Sequence, residues 1–323
     1  MSTNGYPRPG ETFESNYFED LPVSDLDMPR PRQRYWLHAL LFLLTLLSAT
    51  VVGAGLQESF AANLPTSFDS DLYGYIRMWH DPWFLLHGLP FSLTLLTILM
   101  AHEMGHYLTA RRYGVDVSLP YFLPAPTLIG TLGAFIRIRS AVFSKRALFD
   151  IGVAGPLAGF VTLLLPLAVG LSLSKVAPEV VHRGDLIFGN PILLRLFEMV
   201  WFPGVAAGDI YLHPVARAAW VGMFATAMNL LPIGQLDGGH ILYSFFPEKH
   251  KRVSQVICIL MLPLGKFWLG WTGWGLLLLW LGRRHPSIYD STVLSPGRRK
   301  LGWVALAIFI LCFSVAPLAT GGL

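Results

Sequence analysis

Charge is what this sequence has least of. Asp, Glu, Lys and Arg make up 14% of its 323 residues, against roughly 25% in an ordinary soluble domain, and that shortage excludes a charge-clad soluble fold. Cysteine is scarce too. Cys258 and Cys312 both stand inside apolar runs, which excludes a disulfide framework or a paired-cysteine metal site and leaves them as packing residues. The net charge is +4, but no basic helix or aromatic-basic alternation stands clear of the apolar stretches, so nucleic acid is not an expected partner. A cleavable leader is missing as well: residues 1–34 are polar, contain proline and are acidic as far as Asp27, unlike a signal or transit peptide. They read as a flexible cytoplasmic tail ahead of a membrane domain over 35–323.

Apolar residues fill the gap, at 53% of the chain. Runs near the length of about 20 residues that crosses a bilayer occur at Tyr35–Leu56, Trp83–Ala110, Ile151–Leu173, Val215–Leu231, Val253–Leu281 and Gly302–Ala319. The expected fold is therefore an all-α polytopic membrane protein with six segments, or seven if Val253–Leu281, interrupted by Pro263, Gly265 and Lys266, is a broken or re-entrant hairpin. Arg30, Arg32 and Arg34 precede the first run and place the N-terminus in the cytoplasm. Arg111, Arg112, Arg137, Arg139, Lys145 and Arg146 follow the second run and agree with that orientation. Gly152, Gly155, Pro156 and Gly159 on the third run form a stripe of small residues suited to close helix packing. Leu186–Trp201 is expected at the outer interface.

The chemistry concentrates on the second run, which reads His102-Glu103-Met104-Gly105-His106. Positions i and i+4 share a helix face, so both imidazoles reach one metal ion with the intervening Glu beside it. Two neutral imidazoles and a carboxylate suit zinc, and three ionisable groups on one turn of an apolar span point to function rather than packing. The best candidate for a third ligand is Asp237, past Pro232 and Gly234 near the same end of its own span. Proline and glycine let the chain leave helical geometry there, and a cap on the next helix is the ordinary alternative for that Asp. Leu132–Ser140 alternates apolar and other residues with a period of two, as a strand does. Its exposed edge, at Gly133, Ile136 and Ile138, is a candidate for pairing with an extended substrate. His240, three residues past Asp237, is a candidate to support the ligands from behind.

These pieces resemble the site-2 protease family of intramembrane zinc metalloproteases. The resemblance rests on His102-Glu103-Met104-Gly105-His106, on Asn229, Pro232 and Leu236-Asp237-Gly238, on the Gly152–Gly159 stripe, and on Leu119–Pro124 with Gly130–Gly133, which together cover about 83–245. It implies one zinc ion per chain held by His102, His106 and Asp237, Glu103 as catalytic base, Asn229 at the substrate or its oxyanion, and a re-entrant β-hairpin after the second span. Family members often carry PDZ or CBS domains, and neither is found in this sequence.

The expected activity is hydrolysis of peptide bonds in or beside a substrate's transmembrane helix, with the lipid bilayer and that membrane protein as partners. A zinc-binding transporter or a non-catalytic scaffold is the competing reading. The expected location is the bacterial inner membrane, with a plastid membrane as the alternative.

Overall fold

The computed structural model describes residues 33–65, 69–126, 129–183, 187–281, 288, 290 and 292–319. Contacts divide the chain into Met1–Arg34 and Tyr35–Leu323, and everything below concerns the second unit. Three helical stretches are long and apolar enough to cross a membrane: Tyr35–Ala62, Pro82–Arg112 and Lys145–Ser172, with mean hydropathies of 2.2, 1.8 and 1.9. They mark the chain as an integral membrane protein.

The first of these is helix α1 (Tyr35–Ala62), followed by α2 (Asp69–His80). A 3-10 segment over Pro82–Gly88 leads into α3 (Leu89–Arg112). Strands β1 (Tyr121–Pro124) and β2 (Thr131–Phe135) then form an antiparallel hairpin, with Tyr121 opposite Phe135 and Phe122 opposite Ala134. The expected alternation to Ser140 is cut short. Beyond Phe135 only an isolated bridge, Val117 with Ile138, continues the pairing. Helix α4 (Lys145–Ser172) opens at Ser144, whose hydroxyl accepts from the N–H groups of Arg146 and Ala147, so the span begins a turn and a half before the apolar run does.

Between α4 and α7 lie β3 (Lys175–Val176), α5 (Pro178–His182), β4 (Ile187–Phe188), α6 (Ile192–Trp201) and β5 (Ile210–Tyr211). Strand β3 pairs with β5, and β4 with β6 (Leu318–Ala319) near the C-terminus. These two short ladders come in addition to the β1–β2 hairpin. Helix α6 buries Leu193, Leu194 and Glu198 and exposes Ile192, Leu196, Met199 and Val200, the two-faced character of a surface helix.

Helix α7 (Pro214–Asn229) is followed by α8 (Asp237–Phe245), α9 (Pro247–Leu264), α10 (Leu269–Leu281) and α11 (Pro296–Cys312). The last apolar run was expected at 302–319, and its helix starts and stops earlier. Pro296 suits the first helical turn, and Phe313 is extended. Helices α9 and α10 lie against each other, with the Thr272 hydroxyl donating to the Leu262 carbonyl at 3.0 Å. The chain then returns to the beginning of α4. The Asp290 carboxylate accepts from the Lys145 N–H at 2.8 Å, and Arg298 grips Asp150 through two bonds of 2.8 and 2.6 Å. Tyr113, just past α3, donates to the same carboxylate. Asp290 and the first turn of α11 therefore sit at the same end of this unit as the α3–α4 connection.

Helices α3, α4 and α7 build the main core, with Phe91, Leu95 and Ile98 against Leu163, Leu167, Trp220 and Met223. Their backbones come close because small residues face the crossings. A Cβ on Gly105 would lie 2.5 Å from the Ala154 carbonyl oxygen, and one on Gly170 would lie 2.2 Å from the Ala216 nitrogen.

Candidate metal centre

Helix α3 carries His102, Glu103 and His106 on a buried face, each about 5% exposed. Burying two imidazoles at a helix crossing needs room, and glycine supplies it. A Cβ on Gly155 would fall 2.0 Å from His106 Nε2, one on Gly159 3.2 Å from His102, and one on Gly152 3.0 Å from the His240 Cβ. The small-residue stripe of α4 is thus a packing face, as its spacing suggests, and what it packs against is the helix that carries His102 and His106. The Ile151 carbonyl accepts from His106 Nδ1 at 2.7 Å. That bond puts the ring proton on Nδ1 and leaves Nε2 as a bare lone pair.

Asp237 arrives from the opposite side. Helix α7 ends at Asn229, Pro232 prevents its continuation, and Gly234 takes a φ of +54° that a side chain would strain. The turn is closed by the Ile233 N–H to Leu231 carbonyl and Leu236 N–H to Ile233 carbonyl bonds, at 2.7 and 3.1 Å. Asp237 is the first residue of α8 and Leu236 its cap, so the carboxylate is not spent on capping. Gly238 and Gly239 follow because a Cβ there would lie 2.0 Å from the Leu230 carbonyl oxygen and 2.4 Å from that of Gly234.

The three side chains converge. Asp237 Oδ2 is 3.2 Å from Nε2 of both His102 and His106, and the two Nε2 atoms are 3.1 Å apart. Among the described residues this is the candidate metal-binding group. Lone-pair atoms facing one another at such distances repel unless a cation or proton stands between them. Tetrahedral zinc with ligands at 2.0–2.1 Å holds them about 3.3–3.4 Å apart, close to the observed spacing. The donor set therefore fits zinc.

The other predicted residues fall around this point. Glu103 Oε2 is buried with no hydrogen-bond partner among the described residues, and Ile136 lies near its carboxyl group. Asn229 Nδ2 is 3.3 Å from His102 Nε2. His240 packs its Cβ against Gly152, next to the Asp237 carbonyl oxygen. At the strand edge, the Gly133 N–H donates to the Thr131 hydroxyl at 2.9 Å. Ile138 forms a bridge whose bonds are made by its neighbours, Arg137 with Ser118 and Arg139 with Asp116, so its own N–H and C=O point away from the hairpin.

One residue escaped the sequence reading. His250, in the polar stretch 248–252, is 2% exposed, and its Nε2 donates to the Gly234 carbonyl at 3.1 Å. Ser254 adds contacts to Gly234 N and Pro232 O, so α9 secures the turn that presents Asp237. The spacing His250, Ser254, Cys258, Met261 was the available signal, since all four lie on one buried helix face.

A model of peptidase family M50 matches residues 90–265. The chain is 32% identical over 306 residues to "Probable zinc metalloprotease EGY1, chloroplastic" of Oryza sativa subsp. japonica, covering 90% of this chain and 52% of that protein. It is 30% identical over 306 residues to the protein of the same name from Arabidopsis thaliana, covering 88% and 53%. The chain thus spans about half the length of the curated relatives it matches. A solved structure, the site-2 protease from Methanocaldococcus jannaschii, is similar with a TM-score of 0.36 and 18% identity over 64% of this chain and 82% of that one. The family match covers more than half of the sequence, and the chain belongs to peptidase family M50, in keeping with the site-2 protease resemblance of its motifs.

Proposed function

We propose that this protein is an intramembrane zinc metalloprotease that hydrolyses peptide bonds within or beside the transmembrane segments of membrane proteins. The observation that carries this is the convergence of His102, His106 and Asp237 on one point beside a buried carboxyl group, Glu103, with an uncommitted oxygen. One zinc ion per chain fits those three ligands, and when bound it would supply a Lewis acid and a water whose pKa is lowered to about 7. Glu103 takes the proton of the attacking water and returns it to the leaving amine. Asn229, at the mouth of the site, donates to the substrate carbonyl oxygen. His240 supports Asp237 from behind. An unwound substrate segment lies along the edge formed by Gly133, Ile136 and Ile138 and pairs with their main chain beside Glu103.

The segment count that suits this architecture is seven, with α9 and α10 as a hairpin that enters and leaves on one side. The basic residues flanking α3 and α4 support a cytoplasmic or stromal side for the open end of the α9–α10 hairpin. The chloroplast location in the relatives' names favours a plastid membrane over a bacterial inner membrane.

Glu103→Gln tests the reading, because Gln keeps size and some hydrogen bonding but is no base at neutral pH. Turnover of a membrane-embedded substrate should fall by about 10²–10⁴-fold while zinc content and folding persist. Near-normal proteolysis by the zinc-loaded variant would remove Glu103 from the mechanism. No proteolysis by wild type against any membrane substrate would favour the transporter or scaffold reading.

A further inference from the structure

Helix α1 lies outside the stretch that the family model matches, 90–265, yet it is bonded to the hairpin at both ends. Near its start, His38 Nδ1 donates to the Pro120 carbonyl at 3.1 Å, just ahead of β1. Ten residues on, which is about 15 Å along a helix, the Ser48 hydroxyl donates to the Gly130 carbonyl at 2.6 Å, at the entry to β2. Both side chains are more than nine-tenths buried. The His38 ring lies 4.1 Å from that of Tyr121, which stacks on its cross-strand partner Phe135 at 5.5 Å. Phe42 packs edge-on against Phe122 at 5.2 Å. Gly130 has a φ of +73°, and a Cβ there would lie 2.4 Å from the Ala49 Cα, so hairpin and helix meet backbone to backbone.

Packing alone would leave the hairpin free to slide along an apolar helix. Two buried hydrogen bonds about 15 Å apart fix both its height and its tilt. The chain leaving β2 continues into Ile136, which lies near the Glu103 carboxyl group. We propose that α1 is the positioning element for the substrate-binding edge, with His38 and Ser48 as its two fixing points. This rests on the reading above that the edge presents substrate to Glu103.

The test is kinetic, with an independent structural arm. Ser48→Ala removes one fixing point and His38→Leu the other, whereas His38→Asn keeps an amide N–H near the position of Nδ1. A shifted edge still pairs with substrate but presents the bond at the wrong distance, and a displacement of about 1 Å costs up to 10²-fold. In detergent, Ser48→Ala and His38→Leu should lower kcat for a transmembrane substrate by about tenfold or more with KM little changed and zinc content unaltered, and His38→Asn should restore much of the loss. Amide exchange over 131–136 should rise in the two disabling variants whether or not activity is measured. Unchanged kcat and unchanged exchange in the Ser48→Ala/His38→Leu double variant, with zinc bound, would overturn the proposal, as would loss of zinc in step with activity. If wild type itself cleaves nothing, the metalloprotease reading fails separately and the exchange arm still decides whether α1 holds the hairpin.

Discussion

A methyl group placed on Gly155 should disable the metal centre without touching a ligand. Its Cβ would lie 2.0 Å from Nε2 of His106, 2.4 Å from Cδ2 and 2.5 Å from Cε1. Ordinary contact between such atoms begins near 3.4 Å, so the imidazole or the helix must retreat by more than about 1 Å. Neither has an easy route. His106 is tied through Nδ1 to Ile151 at 2.7 Å, and the α3–α4 crossing is closed by Gly105 against Ala154. Metal–ligand distances tolerate about 0.2 Å, so a displacement of this size removes His106 from the coordination sphere. Losing a mere supporting partner costs roughly 10–100-fold in metal affinity, and Gly155→Ala should exceed the upper end of that range. Gly159→Ala is the control. Its Cβ would meet His102 at 3.2 Å, a strain that a few tenths of an ångström relieve, and its effect should stay within about tenfold. Competition with a chromogenic zinc chelator in detergent, with circular dichroism to confirm folding, measures both. A folded Gly155→Ala protein that holds zinc as tightly as wild type would refute the geometry.

Chelation followed by dialysis should abolish proteolysis, and adding back zinc should restore it in wild type but not in a His102→Ala/His106→Ala double variant; unchanged metal content in that variant would remove both residues from the site. Ile136→Pro removes a main-chain donor from the proposed substrate edge and should lower cleavage at least tenfold with zinc retained, while Ile136→Ala does much less; equal activities would separate the strand from the reaction. Cysteines at Arg112 and Arg146, both exposed, should react with an impermeant reagent from the cytoplasmic or stromal side. Reaction from the opposite side would invert the topology.

What the sequence disclosed of the site was local. His102 and His106 are four residues apart on one helix, and that spacing alone places their rings together. Asp237 was legible because Pro232 and the glycines announced a break at the matching depth of another span. Pairings across long separations were not legible. Nothing in the sequence around Arg298 says that it meets Asp150, 148 positions earlier, and its cluster of basic neighbours reads only as a topology signal. That pairing returns the first turn of α11 to the α4 end, a point charge counting could not settle. The stripe Gly152, Gly155, Gly159 announced a close contact, but the partner helix is a property of the fold. His250 was hidden by Lys249, Lys251 and Arg252, whose charges mask the apolar period of α9. The strand was overestimated because a period of two persists to Arg139, while the ladder with β1 ends at Phe135.

The unpaired edge of the β1–β2 hairpin has a further consequence for the lipid around it. A peptide group without a partner costs several kcal/mol in hydrocarbon, and Ile138 turns both its N–H and its C=O outward. Acyl chains are therefore poor neighbours for this main chain, in keeping with the basic Arg137 and Arg139 on either side of it. On the proposed function, an arriving substrate strand displaces water from this edge and departing products readmit it, so that wetting of the edge and release of product are one event.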